Sequence, residues 1–181
     1  MKNHGPKNHN SNGKIEILVG DITKQNVDAI VNAANTTLLG GGGVDGAIHT
    51  AAGPELLKEC EKLGGCSTGK AKITKGFNLP AKWVIHTVGP VWSGGQYNEK
   101  FVLTSCYQNC LKLAEEYQIK TLAFPSISTG AYRFPITEAS EIALREIKKH
   151  LDQKSSQIEK VLIVCFDEKT YLHYLAQLGH V

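Results

Sequence analysis

Val161-Leu162-Ile163-Val164-Cys165-Phe166 is apolar at six consecutive positions, between Lys160 and Asp167. A strand with one face in water alternates apolar and polar side chains. A short unbroken apolar run instead marks a strand covered on both faces, as in parallel sheets under two helical layers. Outward from this run, residues 15–19, 29–31, 71–77, 83–88 and 121–124 read as further strands, and most end at Gly, Pro or Asn. Helical spacing fills the intervals: residues 44–63, with a break at Gly53-Pro54 where proline suits a first turn, then 98–117, 136–151 and 168–178. Thr137 is placed to cap the helix over 136–151. Strands alternating with helices predict an α/β sandwich whose sheet is largely parallel.

The chain has 181 residues, enough for one domain with a substantial core, and nothing in it reads as an interdomain linker. A hydrophobic share of 41% with 20% charged residues is ordinary for a soluble globular protein. The formal net charge of +3 is far from the basic stripe of a dedicated nucleic-acid binder. No apolar run is long enough to span a bilayer. Residues 1–13 are polar, have little to bury and are expected to be a disordered tail, with His4 and His9 as solvated side chains; residues 14–181 form the single domain. The tail has no apolar segment resembling a signal peptide, and the five cysteines show no disulfide spacing, so the expected setting is a reducing cytoplasm. Cys106 and Cys110 share a helix face but lack further ligands for zinc, and they are expected to be core thiols.

In open α/β sheets, ligands bind outside the carboxyl ends of the strands. Here those ends lead into Gly20-Asp21-Ile22-Thr23, Asn32-Ala33-Ala34-Asn35, Gly89-Pro90, Ser126-Ile127-Ser128-Thr129-Gly130 and Phe166-Asp167, which hold most of the chain's polar and glycine-rich character. The longest glycine run, Gly40-Gly41-Gly42-Gly43, opens into a helix carrying Asp45 and His49. Without Cβ atoms such an arch can touch a ligand with its backbone, and amides at a helix start suit phosphate oxygens. Asp21 is placed either to cap the turn at Thr23 or to accept from an exocyclic amine such as that of adenine. Asn32 and Asn35 are placed to stabilise turns or to orient a sugar hydroxyl. His49 is read equally as a packed helical histidine or as a partner of Asp45, one turn away. His86, within a strand, has no neighbour in sequence that suggests chemistry. Neither a nucleoside-triphosphate loop nor a dinucleotide fingerprint is present.

Four segments in this order, Val19-Gly20-Asp21-Ile22-Thr23, Val27-Asp28-Ala29-Ile30-Val31-Asn32-Ala33-Ala34-Asn35, Gly41-Gly42-Gly43-Val44-Asp45-Gly46-Ala47-Ile48-His49 and Ser126-Ile127-Ser128-Thr129-Gly130-Ala131-Tyr132-Arg133-Phe134-Pro135, resemble the macrodomain family, and more narrowly its MacroD type. The resemblance runs from about Lys14 to the C-terminus. It implies a three-layer α/β/α sandwich with a central mixed, mostly parallel sheet that binds ADP-ribose without a metal or other cofactor. On this chain it implies that Asp21 reads the adenine amine with support from the Ile22 amide, and that Phe166 lies along the ring. Gly42, Gly43 and Val44 would clamp the diphosphate together with Ser128, Thr129, Gly130, Ala131 and Tyr132. Tyr132 or Phe134 would cover the distal ribose, which Asn35 and Asp45 face.

The resemblance also implies an activity: hydrolysis of ADP-ribosyl esters on Asp or Glu side chains of proteins, and deacetylation of O-acetyl-ADP-ribose. Asp45 would orient or deprotonate the water, Asn35 would hold a ribose hydroxyl, and His49 would brace Asp45. The expected partners are ADP-ribose, O-acetyl-ADP-ribose and ADP-ribosylated proteins, with no membrane, no dedicated nucleic acid and a monomeric state. The alternative is a reader that binds ADP-ribose or ADP-ribosylated proteins without turnover, since a fold does not dictate catalysis.

Overall fold

A computed structural model describes residues 13–180. Apart from Gly13, the expectation of a disordered tail, His4 and His9 included, concerns residues outside those described. Six strands, β1 (Ile15–Val19), β2 (Ala29–Ala33), β3 (Ala71–Lys75), β4 (Trp83–Thr87), β5 (Thr121–Phe124) and β6 (Lys160–Cys165), make one sheet in the order β1-β6-β5-β2-β4-β3. Only β3 runs antiparallel to its neighbour; every other pairing is parallel. Five helices cover it: α1 (Gly43–Ala52), α2 (Pro54–Leu63), α3 (Glu99–Glu116), α4 (Ile136–Leu151) and α5 (Glu168–Leu178).

The apolar run does what its composition predicts. β6 lies between β1 and β5, with Val161, Ile163 and Cys165 packed among residues of α3, α4 and α5, and Leu162 and Val164 packed in a second core with residues of α1 and α2. Alternation along β2 divides the same way: Ala29 and Val31 join the first core and Ile30 the second. The molecule is a three-layer α/β/α sandwich with a mixed, mostly parallel sheet.

The break foreseen at Gly53-Pro54 divides residues 44–63 into two helices: Gly53 at φ +85 turns the chain, and Pro54 starts α2. One local expectation changes. Thr137 lies inside α4 and does not cap it. Pro135 holds the cap position at φ −57, and its carbonyl accepts from the Ala139 amide at 2.9 Å. All five cysteines are free and buried, and burial pushes the thiols up, Cys106 to about 11 and Cys165 to about 12. Among the described residues no cluster of His, Cys, Asp or Glu is arranged to hold a metal, and no helix is long and apolar enough to cross a membrane.

Candidate functional site

The carboxyl ends of β1, β6, β5, β2 and β4 lie side by side on one edge of the sheet, and the loops foreseen as ligand-binding leave from it. At one end the Gly20 amide donates to the Cys165 carbonyl at 3.0 Å, stitching the turn after β1 to the end of β6. There the Phe166 ring stands 89% exposed. Asp21 caps the short turn Ile22–Lys24: its Oδ1 accepts from the Thr23 amide at 2.9 Å and the Thr23 hydroxyl at 2.6 Å. These bonds, the hydroxyl's first, hold the Asp21 carboxyl below its ordinary value. The capping role is therefore real, and it leaves a charged, exposed acceptor beside Phe166. The Ile22 side chain is buried in the core, so only its backbone is available to a ligand.

Further along the edge, the chain leaves β2 through Asn35 into the glycine arch. Gly40 at φ +91 and Gly43 at φ +56 take conformations that favour glycine. Gly46 is needed for a different reason: a Cβ there would lie 2.5 Å from the Gly41 carbonyl oxygen, so its absence lets the arch fold down onto α1. A Cβ on Gly41 would meet Asp45 Oδ2 at 3.1 Å and Asn35 Nδ2 at 3.4 Å, so these two polar atoms flank the arch. Asn35 itself is largely engaged by the loop. Its Nδ2 donates to the Gly40 carbonyl at 2.9 Å, and its Oδ1 accepts from the Thr37 amide at 3.1 Å, the Thr37 hydroxyl at 2.6 Å and the Leu38 amide at 3.2 Å. Helix α1 begins at Gly43 with no side-chain cap, so the amides of Gly43, Val44 and Asp45 form an uncapped, partly positive helix start.

Asp45 is 4% exposed. Its Oδ1 accepts from Asn32 Nδ2 at 2.8 Å, while Oδ2 has no hydrogen-bond partner in the protein. His49 Nε2 lies 3.4 Å from Oδ1 without hydrogen-bond geometry, so the two are neighbours but not locked together. Asn32 departs from its sequence reading. It is fully buried and holds Asp45 from behind, out of reach of a sugar hydroxyl. His86 departs as well, since its Nδ1 lies 3.1 Å from the same Asn32 nitrogen. The signal that connects them is register: Asn32 and His86 are direct partners across β2 and β4.

The loop after β5 forms the other wall. Ser128 sits at φ +65, and its buried Oγ has no hydrogen-bond partner. A Cβ on Gly89 would lie 2.1 Å from that oxygen, so Gly89 is what admits Ser128 to the end of β4. The loop closes on itself through Phe134 N to Ser128 O at 2.9 Å and Arg133 N to Gly130 O at 3.0 Å. Its start is anchored by Ser126, whose Oγ accepts from Thr129 Oγ1 at 2.8 Å and from the Tyr174 hydroxyl at 3.0 Å. Gly130, Ala131 and Tyr132 present amides that meet no protein acceptor among the described residues.

Phe134 requires a correction. Its ring is 1% exposed and packs against Trp92 at 4.8 Å between centroids, so it belongs to the core and cannot cover a sugar. The chain turns inward there to start α4 from Pro135, which buries the apolar ring. Of the two rings named for that role, the half-buried Tyr132 is the one left near the surface. Trp92 and Tyr174 shape the site yet escaped sequence reading, because each acts through a residue distant in the chain, Phe134 and Ser126; the specific roles of Gly46 and Gly89 show only in what a Cβ there would strike.

Comparison with known proteins follows the same lines. The Macro domain family model matches residues 31–143. A macro domain-containing protein of Methanosarcina mazei is 61% identical over 155 residues, covering 86% of this chain and 82% of that protein. O-acetyl-ADP-ribose deacetylase 1 of Pantoea vagans is 52% identical over 170 residues, covering 92% of this chain and 99% of that protein. The solved structure of the Oceanobacillus iheyensis macrodomain with ADP superposes with a TM-score of 0.88 at 45% identity, over 96% of this chain and 94% of that one. This chain belongs to the Macro domain family.

Proposed function

We propose that this chain binds ADP-ribose along the sheet edge and hydrolyses ADP-ribosyl esters at the glycine arch, releasing mono-ADP-ribose from Asp and Glu side chains of proteins and acetate from O-acetyl-ADP-ribose. The observation that carries the reading is Asp45 Oδ2, an almost fully buried carboxylate oxygen with no partner, set under Gly41 beside the Asn35 amide. Buried polar atoms are rarely left unpaired, and a persistent exception points to an external group. The name of the Pantoea vagans relative and the ADP bound by the Oceanobacillus iheyensis macrodomain support the choice of ligand.

The order of elements suits an elongated ligand. From β1 to β2 the sheet takes three interstrand steps, about 14 Å along the edge at the usual spacing. Asp21 and Phe166 stand at the β1 and β6 end and would take the adenine. The unpaired amides of the loop after β5 and of the α1 start lie between and would hold the diphosphate. The distal ribose would then lie over Asn35 and Asp45, with the remaining N–H of the Asn35 amide available to a hydroxyl.

For the reaction, a water held by Asp45 Oδ2 adds to the ester carbonyl carbon, and its proton passes to the carboxylate. The tetrahedral oxyanion collapses, the bond to the ribose oxygen breaks, and that oxygen takes the proton back. An ester is already activated, so positioning and donors for the developing charge suffice.

A second reading, binding without turnover, is favoured by one observation: Asn35 is mostly occupied by the loop, which limits its grip on the sugar. Incubation with a protein ADP-ribosylated on carboxylates, in the presence of a chelator, decides between them. Release of free ADP-ribose is expected; binding of ADP-ribose without release would leave only the reader.

A further inference from the structure

A line of buried polar side chains runs behind Asp45 across the sheet. Asn32 of β2 and His86 of β4 are register partners, both 0% exposed, and Thr74 of β3 is 6% exposed. All three lie on the face packed by α1 and α2, from which Asp45, His49 and Cys60 approach. The hydrogen-bond chemistry permits one arrangement. Asn32 Nδ2 has two hydrogens and lies 2.8 Å from Asp45 Oδ1 and 3.1 Å from His86 Nδ1. Turned over, the amide would set its oxygen against a carboxylate oxygen, so the nitrogen must face Asp45.

It follows that His86 Nδ1 is bare and accepts. The neutral ring then carries its hydrogen on Nε2, 2.9 Å from Thr74 Oγ1 with Cys60 Sγ at 3.8 Å, and the Thr74 hydroxyl donates onward to the Lys75 carbonyl at 3.1 Å. Both hydrogens of the Asn32 amide are spent, one on the carboxylate and one on the imidazole.

We propose that His86 is a positioning residue for the hydrolysis: its bare Nδ1 fixes the Asn32 amide, which pins Asp45 Oδ1 and so aims Oδ2 at the arch. The proposal rests on the role given to Asp45 above. Without an acceptor at Nδ1 the Asn32 amide has a free hydrogen in a dry interior and is released to rotate, and Asp45 loses its fixed direction. Protonation of His86 would have the same effect, setting N–H against N–H. The surroundings oppose it: burial first, and the charge of His49 second, push the imidazole down to about 3. Asn32, Thr74 and Cys60 face the ring, with Asp45 and His49 next beyond them.

Two substitutions separate this role from simple core filling. In His86→Asn the amide oxygen replaces Nδ1 as acceptor. In His86→Gln the longer amide reaches the Nε2 end and leaves Asn32 without an acceptor. The expected result is that H86Q lowers kcat by ~10-fold or more, the scale of a misaimed reacting group. ADP-ribose affinity should be nearly unchanged in H86Q, and H86N should restore most of kcat. Equal losses in both variants, or no loss in either, overturn the proposal.

A reading independent of activity and of mutant folding comes from 15N NMR of the wild-type imidazole between about pH 5 and pH 8. A bare Nδ1 and a protonated Nε2 are expected; a protonated Nδ1 overturns the brace outright. Wild-type protein that shows this tautomer but releases no ADP-ribose overturns the hydrolase reading and the purpose assigned to His86, while leaving the brace itself observed.

Discussion

Two carboxylate–histidine pairs can be set side by side. Glu115, at the end of α3, meets His150 Nε2 at 2.9 Å and Ser156 Oγ at 2.6 Å through Oε1, and the Gln157 amide at 3.1 Å through Oε2. Burial pushes its carboxyl up, but the bonds from Ser156, His150 and Gln157 outweigh burial and hold it below its ordinary value. Asp45 is the more buried of the two, 4% exposed against 24% for Glu115, and it is the less satisfied. One of its oxygens has no partner, and its histidine stands at 3.4 Å without a hydrogen bond. The Glu115 pair leaves neither carboxylate oxygen without a partner. The pair at the arch is kept short of partners by a neighbour, Asn32, that holds one oxygen and leaves the other toward the glycines.

The sharpest test of that contrast is Asp45→Ala. It should cut ester cleavage by ~100-fold or more, the usual worth of a positioned acid–base group, while ADP-ribose affinity changes far less. Single-turnover release measured beside calorimetric binding checks both, and a variant with full activity would erase the distinction between the pairs. Next in size, Asp21→Ala should weaken ADP-ribose binding by ~1.5–3 kcal/mol, the range for a hydrogen bond to a charged group. Unchanged affinity with a lowered Tm would leave Asp21 as a cap alone.

A smaller effect tests the polar line behind Asp45. The His86 pKa is depressed in the folded protein, so below its ordinary 6.5 the unfolded chain takes up a proton that the native state refuses. Stability contributed by His86 is therefore full above that value and is lost as pH falls toward about 3, at up to ~1.4 kcal/mol per pH unit. The interval from 6.5 down to 4.5 lies above the carboxyls held low (Asp21, Glu99, Glu115 and Asp167), whose ordinary values are no higher than 4.5. Denaturant titrations stepped through that interval should show the slope in wild type and a flatter one in His86→Asn. Smallest of all, Glu115→Ala should leave cleavage within about twofold while costing ~1–2 kcal/mol of stability. A clear loss of rate there would mean that the two pairs are not of different kinds.

What the chain reveals on reading follows the distance over which each residue acts. The burial of β6, the positions of the strand ends and the break at Gly53-Pro54 depend on neighbouring residues, and periodicity shows them. Asp45 and His49 are also legible, because four residues along a helix bring side chains to one face. Asn32 and His86 meet only through the pairing of β2 with β4, 54 residues apart, so neither tells its role alone. Phe134 looks like a site aromatic in a polar loop, and only the turn into α4 shows that its ring packs against Trp92. Gly89 and Gly46 are needed for what would collide with a Cβ, and no local pattern records that.

The anchoring of Ser126 by Tyr174 has a consequence for what counts as the minimal folding unit. The stretch matched by the family model ends at residue 143, yet the hydroxyl that fixes the start of the loop after β5 comes from α5, with its aromatic ring 0% exposed. The last helix therefore acts as a latch from outside the recognisable segment. Because this bond joins them, loosening of α5 and loosening of the loop are coupled by up to the worth of the bond, ~0.5–1.5 kcal/mol, and a ligand that orders the loop protects the helix by at most that much. Hydrogen exchange at the α5 amides should slow on adding ADP-ribose although the ligand touches none of them, and Tyr174→Phe should abolish much of that slowing.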